Sequence, residues 1–454
     1  MQKNMENTVP AAEASQSLRS FLAELDEGQL VSYTVKREDY LLSALAQRLE
    51  DAGKSPVIQL IDPDTGERTI ANTFASRDIL KAHIHNIVDV EQAAGRFAIL
   101  DMAEDAPVQQ VVLQGDAVDL ESLPVFRHFE HDAGRYITSG IVMARDPENG
   151  RVNFSFHRMQ VKDKNRIGIS LHSRGDLWRY LNSSEAAGKD LPVAVVIGAH
   201  PAYYITGASK VPPTQDDYSW AGAYMNEVPL VTRAKTVDIP VPARAEWVLE
   251  GRILRDEHED EGPFGEYTGY STSRSTRNVF VVDAITRRQD AIWQDLVPGF
   301  AWEHLLLSQF TKEIILLDKL KKEMPEVRAM SMPKNGCHFH AYLSMAPKAQ
   351  GQARLAAMLL FGLDPYLKLI IVVDEDVDVY DEKEVMWAVA TRMQAHRDVF
   401  IVPDVLCNRL DPSSVDGMSA KMCIDATKPD GWDAERVTLP GDVLKKADEL
   451  LDNG

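Results

Sequence analysis

Val237-Asp-Ile-Pro-Val-Pro-Ala-Arg-Ala-Glu-Trp-Val-Leu-Glu-Gly-Arg-Ile253 reads as β-structure carrying two prolines. Proline cannot donate to a sheet ladder, so Pro240 and Pro242 point to an edge or a bent strand. Similar short β-rich stretches surround it at Val108–Leu113, Val193–Ile197 and Val279–Ile285, separated by Gly, Pro and Asp clusters. That rhythm between residues 108 and 302 predicts a barrel or sandwich rather than a doubly wound sheet.

Outward from this middle the texture changes. Leu18, Phe21, Leu22 and Leu25 recur at helical spacing before Gly28. A strand at 30–35, a helix at 39–51 and a strand at 56–61 follow. Residues 1–107 thus read as an α/β region. On the other side, the periodic run from Glu303 to Met324 stops at Pro325 and predicts a linker helix over 303–325. Beyond it, a helix near 348–361, the strand LKLIIVVD (367–374), a helix at 382–395 and the strand DVFIV (398–402) predict a second α/β unit over 326–454. The expected class is mixed α/β: an N-terminal α/β region, a central barrel, a linker helix and a C-terminal α/β unit.

Across 454 residues, 49 Lys+Arg stand against 69 Asp+Glu, a net charge of −20 that repels nucleic-acid backbones and anionic membranes. Three scattered cysteines suit neither a disulfide framework nor a structural zinc site, and fit a reducing compartment. The polar N-terminus lacks the apolar core of a signal peptide. The longest apolar run, Leu355 to Leu363, falls far short of the roughly 20 residues that span a bilayer. A cytoplasmic protein is expected, without nucleic-acid or membrane partners.

The densest chemical signal is Glu261-Gly-Pro-Phe-Gly-Glu266-Tyr-Thr-Gly-Tyr270, two carboxylates flanking a Gly-Pro turn. Such a pair can split its pKa values, one member serving as acid; the segment also reads as a solvated turn. In Asn153-Phe-Ser-Phe-His-Arg158, alternation puts Asn153, Ser155 and His157 opposite Phe154, Phe156 and Arg158. Arg158 could clamp a carboxylate or be an ordinary surface arginine. Asn153, His172 and Asp217 form an oxygen and nitrogen donor set for a hard divalent ion, with Asp216 as a rival.

Together, Asn153-x₄-Arg158, EGPFGEYTGY, VVDEDVDVYDEKEVMWAVATR (372–392) and AKMCIDATK (420–428) resemble the UbiD-type decarboxylases over nearly the whole chain. The resemblance implies a reversible decarboxylase of an aromatic, heteroaromatic or α,β-unsaturated acid that uses prenylated FMN, with Mn²⁺ or Mg²⁺ and K⁺ as accompanying ions. It makes Arg158, Glu261 and Glu266 a catalytic Glu-Arg-Glu network with Glu266 as proton donor. Asn153, Ser155, Phe156, His157, Arg158, His172 and Lys421 fall at cofactor-binding positions, Lys421 at the phosphate. Asn153, His172 and Asp217 fall at the metal positions, where the family usually has Glu as the third ligand. Phe300, Trp302 and His304 lie where the family shapes its substrate pocket. The middle is implied to be a flavin-reductase-like split β-barrel, and the C-terminal unit to drive a homodimer or a larger dimer-based oligomer. A flavin prenyltransferase would supply the cofactor.

The chemistry predicts that burial and the charge of Glu261 raise the pKa of Glu266, opposed by Arg158. Two other readings remain open at this point. One is a non-catalytic flavin- or metal-binding subunit of the same fold; the other is a metal-dependent hydrolase using Glu261 and Glu266.

Overall fold

The computed structural model describes residues 15–98, 100–171 and 175–452, and it divides the proline-bearing stretch between two sheets. The polar N-terminus read above lies, through residue 14, outside the described residues, as does His172. Pro240–Pro242 is the edge strand of a three-stranded sheet with Leu230–Arg233 and Asp101–Met102, as the missing proline donors require. Trp247–His258 is instead a central strand of the main sheet.

The N-terminal sheet orders Leu30–Thr34, Val57–Ile61, Arg68–Ala71 and Trp293–Gln294. Its last strand comes from beyond the barrel, so the chain returns to complete it. Helix Leu18–Ala23 opens the segment with Ser17 and Ser20 capping each other, and buries Leu18 and Phe21. Among the described residues no helix is long and apolar enough to cross a membrane.

The main sheet runs Tyr136–Ile137, Met159–Val161, Arg166–Ile169, Asn278–Arg287, Trp247–His258, Leu191–Ile197, Ile141–Arg145, Val152–Phe156, with Val111–Gln114 added to Asn278–Arg287. Every pairing is antiparallel. The strand at one end, Val152–Phe156, is followed after only His157 and Arg158 by Met159–Val161 near the other end. Two residues cannot span six open strand spacings of about 4.8 Å each, so the sheet must curl to bring these strands together. Arg158 therefore sits at the seam of a curled half-barrel. One apolar cluster, with Ile137, Val195, Leu249 and Phe280, belongs to one side of the sheet; a second, with Met143, Phe154, Ala194 and Val248, packs under helices Pro201–Ala208 and Asp217–Met225.

Helix Trp302–Glu323 then leaves the barrel; at 22 residues it is about 33 Å long. Lys321 and Lys322 in its last turn complement the helix dipole. Leu306, Leu307 and Phe310 enter the barrel-side core, while Leu316 and Leu320 enter the C-terminal core, so one helix is anchored in two cores. The C-terminal sheet orders Val327–Ser331, His340–Met345, Leu369–Asp374, Met418–Ala426 and Val399–Leu406, parallel in its middle and antiparallel at both edges. Helices Gln352–Leu363 and Glu382–Arg392 cover it.

Candidate active site

Glu261 to Tyr270 forms a loop that folds back through the pair Phe264–Gly265 and Ser271–Thr272. Gly262 adopts φ +95°, which favours glycine, and a Cβ there would press on Arg158 Nη2 at 3.3 Å. This loop brings both glutamates to the barrel seam. Arg158 donates to Glu261 Oε2 from Nε (3.3 Å) and Nη2 (3.0 Å), to Glu266 Oε1 from Nη1 (2.7 Å), and to the Arg274 carbonyl from Nη2 (2.7 Å). Its guanidinium also lies 5.5 Å from the centre of the Phe264 ring.

The two carboxylates are not equivalent. Tyr136 donates to Glu261 Oε1 at 3.0 Å, so both Glu261 oxygens are occupied, and its side chain is 0% exposed. Glu266 uses only Oε1 toward Arg158, and its side chain keeps 14% exposure. Burial raises the Glu266 pKa; Arg158 pulls it back, and Glu261 and Asp132 push it further up, leaving it above the ordinary value. The sequence expectation named burial, Glu261 and Arg158 and left the balance open; burial carries it. Burial alone would lower the Arg158 pKa, but the two glutamates outweigh it and hold the cation. Burial and the Glu261 charge keep the Tyr136 phenol protonated, a firm donor.

The donor set expected for a metal is assembled in part. Asp217 opens helix Asp217–Met225, is 6% exposed, and accepts from Phe154 N at 2.7 Å, beside Asn153 on strand Val152–Phe156. Burial lifts its pKa well above the ordinary range. Asp216 accepts from Tyr218 N and Val152 N as the helix N-cap, which leaves Asp217 the better candidate ligand. Among the described residues no cation faces Asp217, and a buried carboxyl without a counter-charge suits a metal ion. Also among the described residues, no group of three His, Cys, Asp or Glu forms a complete metal cage.

Ser155 and His157 share a face as the alternation predicts, His157 Nε2 lying 3.1 Å from Ser155 Oγ and Nδ1 3.1 Å from the Ser170 carbonyl. Phe156 stacks on Tyr204 with ring centres 5.9 Å apart and packs against the core. The strand ends at Phe156, so the alternation does not extend to Arg158.

Lys421, expected at the cofactor phosphate, lies in the C-terminal unit on strand Met418–Ala426. Its ammonium donates to the carbonyls of Pro365 (2.7 Å) and Leu367 (2.5 Å) and lies 5.1 Å from the Phe361 ring, all within the C-terminal unit. A 7%-exposed ammonium needs acceptors, and these carbonyls supply them. These bonds tie strand Met418–Ala426 to the segment that leads into Leu369–Asp374.

Of the expected pocket residues, His304 faces the Glu261–Tyr270 loop: its ring centre is 6.2 Å from that of Tyr267, and Nδ1 bonds the Gly299 carbonyl at 3.1 Å. Burial draws its pKa down to about 4, so the ring is neutral. Phe300 sits at the rim under the Lys334 ammonium, 4.6 Å from the ring centre. Trp302 stacks under Arg77 instead. Tyr136, Asp132 and Tyr267 escaped the sequence reading. Of these only Tyr267, inside the decapeptide, carried a local signal.

A family profile described as the 3-octaprenyl-4-hydroxybenzoate carboxy-lyase Rift-related domain matches residues 101–301, and the corresponding C-terminal domain matches 305–426. The chain belongs to the UbiD family. The anhydromevalonate phosphate decarboxylase of Methanothermobacter thermautotrophicus is 35% identical over 313 residues, 68% of this chain and 73% of that one. The UbiD-class enzyme HmfF from Pelotomaculum thermopropionicum, solved in complex with FMN, superposes with a TM-score of 0.88 at 34% identity, over 95% of this chain and 99% of that one. An evolved dimeric form of HmfF in complex with prFMN superposes at 0.85 and 32% identity, over 96% and 100%. As a UbiD protein the chain is a carboxy-lyase, and the flavin complexes of its relatives support a flavin cofactor.

Proposed function

We propose that this UbiD protein is a reversible, prenylated-FMN-dependent decarboxylase of an aromatic, heteroaromatic or α,β-unsaturated acid, with Arg158, Glu261 and Glu266 as its catalytic group. The observation that carries the assignment is the unequal engagement of the glutamates: Glu261 is fully bonded, whereas Glu266 has a raised pKa and one oxygen uncommitted.

Loss of CO₂ from an sp² carbon leaves an electron pair with no stable orbital, and the bound cofactor supplies the sink. The protein's part is orientation and a proton. Of the five guanidinium N–H groups, the four contacts of Arg158 leave one on Nη1 for the substrate carboxylate. After CO₂ has left, Glu266 would transfer its proton to the same carbon, and its partial exposure lets it regain one from solvent. Glu261, held by Tyr136, keeps Arg158 in register. Asn153, His172 and Asp217 would hold Mn²⁺ or Mg²⁺ against the cofactor phosphate. Phe300 and His304 would border the substrate, and Trp302 would back them.

We take the chain as an N-terminal unit (1–107), a barrel (108–302), a linker helix (303–325) and an oligomerising unit (326–454) of a cytoplasmic homodimer or larger dimer-based assembly. Exposed Leu355, Met358, Met386 and Trp387 on the outer helices of the last unit support self-association. The test is co-expression with a flavin prenyltransferase, anaerobic purification and mass spectrometry of the bound ligand, followed by a carboxylate panel assayed for CO₂ release. A prenylated-FMN mass with CO₂ release is expected. Metal-dependent activity without any flavin would overturn the reading.

A further inference from the structure

We infer that Asp132 is a positioning residue for Glu266: it clasps the loop one residue before Glu266 and adds a buried carboxylate to that loop's surroundings. The inference rests on Glu266 being the acid.

Asp132 is 1% exposed. Its Oδ1 accepts from Gly265 N at 2.9 Å and its Oδ2 from Phe129 N at 2.9 Å, so one carboxylate ties two loops together. Ala133 N donates to the Pro263 carbonyl at 2.8 Å, and Arg127 donates to the Asp132 carbonyl from Nε (3.0 Å) and Nη2 (2.7 Å). With Tyr136 on Glu261, the segment from Arg127 to Tyr136 grips the catalytic loop at Glu261, Pro263 and Gly265. Gly265 must lack a side chain, because a Cβ there would stand 2.5 Å from the Phe129 ring. On the other side, Glu266 N donates to the Tyr270 carbonyl at 3.0 Å, and Gly269 N to the Glu266 carbonyl at 2.9 Å. The backbone is pinned before and after Glu266.

Asp132 has a second property that loop anchoring does not need. Two amides satisfy its oxygens, and among the described residues no ion pair neutralises it; Arg127 holds its main-chain carbonyl, not its carboxylate. An unpaired buried anion is costly. The groups facing Glu266 are Arg158 from the barrel seam, Glu261 from its own loop, Asp132 from the adjoining turn and the neutral Tyr267 phenol. One cation thus stands against two anions before Glu266 is counted, an arrangement that favours the protonated acid.

The test compares Asp132→Asn, which removes the charge, with Asp132→Glu, which keeps it. In flavin-free protein, the carboxyl of Glu266 is titrated by infrared difference spectroscopy, its band assigned by its loss in Glu266→Gln. The pH profile of kcat is then measured on cofactor-loaded enzyme. In Asp132→Asn the Glu266 titration and the basic limb of kcat should both move to lower pH, by a shift smaller than the one that removal of Glu261 would give. In Asp132→Glu both should stay in place while kcat falls about tenfold from misplacement of the loop. An unmoved titration in Asp132→Asn would overturn the inference. Asp132→Ser, uncharged and smaller, is read the same way if Asp132→Asn does not fold. Full turnover in loaded Glu266→Gln would instead defeat the acid assignment itself, whatever Asp132 does.

Discussion

The barrel and the C-terminal unit each place a buried arginine between two carboxylates, and the two groupings differ in charge balance. At the seam, Arg158 faces Glu261 and Glu266, with Asp132 adding a third anion to the surroundings. In the C-terminal unit, Arg392 bonds Asp374 at 2.7 Å and grips Asp376 with both terminal nitrogens at 3.0 Å, and the Lys428 ammonium reaches Asp376 at 2.9 Å. Burial works against ionisation of Asp376, but the bonds from Arg392 and Lys428 pull its pKa down to about 2. In that clasp both carboxylates are met by cations, Asp376 most firmly, while burial keeps the Asp374 pKa above its ordinary value. At the seam one cation stands among more anions, and the Glu266 carboxyl holds its proton to higher pH than an ordinary glutamate does. Counting counter-charges separates a candidate catalytic arginine from a structural one better than burial does, since both are buried.

Substitutions on each side should break this contrast in proportion. The largest effect belongs to Glu266→Gln, which should lower kcat by about 10²–10⁴, the usual worth of positioned proton transfer, while bound-cofactor absorbance is retained. Next comes pH. The acid must be protonated, so activity is present below the folded pKa of Glu266 and is lost as pH rises through it. Because that pKa lies above 4.5, the basic limb of kcat should fall above that pH, and the limb should vanish from the residual activity of Glu266→Gln. Tyr136→Phe removes one bond to the Glu261 carboxylate and should cost about tenfold in kcat, since bonds to charged groups are worth about 1.5–3 kcal/mol. Asp376→Asn should leave kcat at the wild-type value. Asp376 is 36% exposed, so the stability lost should stay within about 1 kcal/mol, read as a small drop in Tm.

The sequence carried much of this architecture because its strongest signals are local. The β-rich rhythm, the two prolines and the periodic linker run each depend on a few neighbouring residues, and the elements appear within a few positions of where those patterns put them. Strand partners are another matter. Trp293–Gln294 completing the N-terminal sheet is a pairing across more than two hundred residues that no periodicity announces. The site divides the same way. Arg158, Glu261 and Glu266 sit in dense motifs and do meet. Tyr136 and Asp132 act through single bonds to residues 125 and 133 positions away, with no pattern of their own. Lys421 shows the converse: a lysine in a distinctive segment whose acceptors are main-chain carbonyls, which side-chain identity cannot foretell.

The central claim is that Glu266 delivers the proton to the substrate carbon. The direct measurement is deuterium uptake at that carbon of the decarboxylated product in D₂O, comparing cofactor-loaded wild type with cofactor-loaded Glu266→Gln. Wild type should exchange the position and Glu266→Gln should not, although both hold the cofactor. Exchange at the wild-type rate in Glu266→Gln would contradict the account.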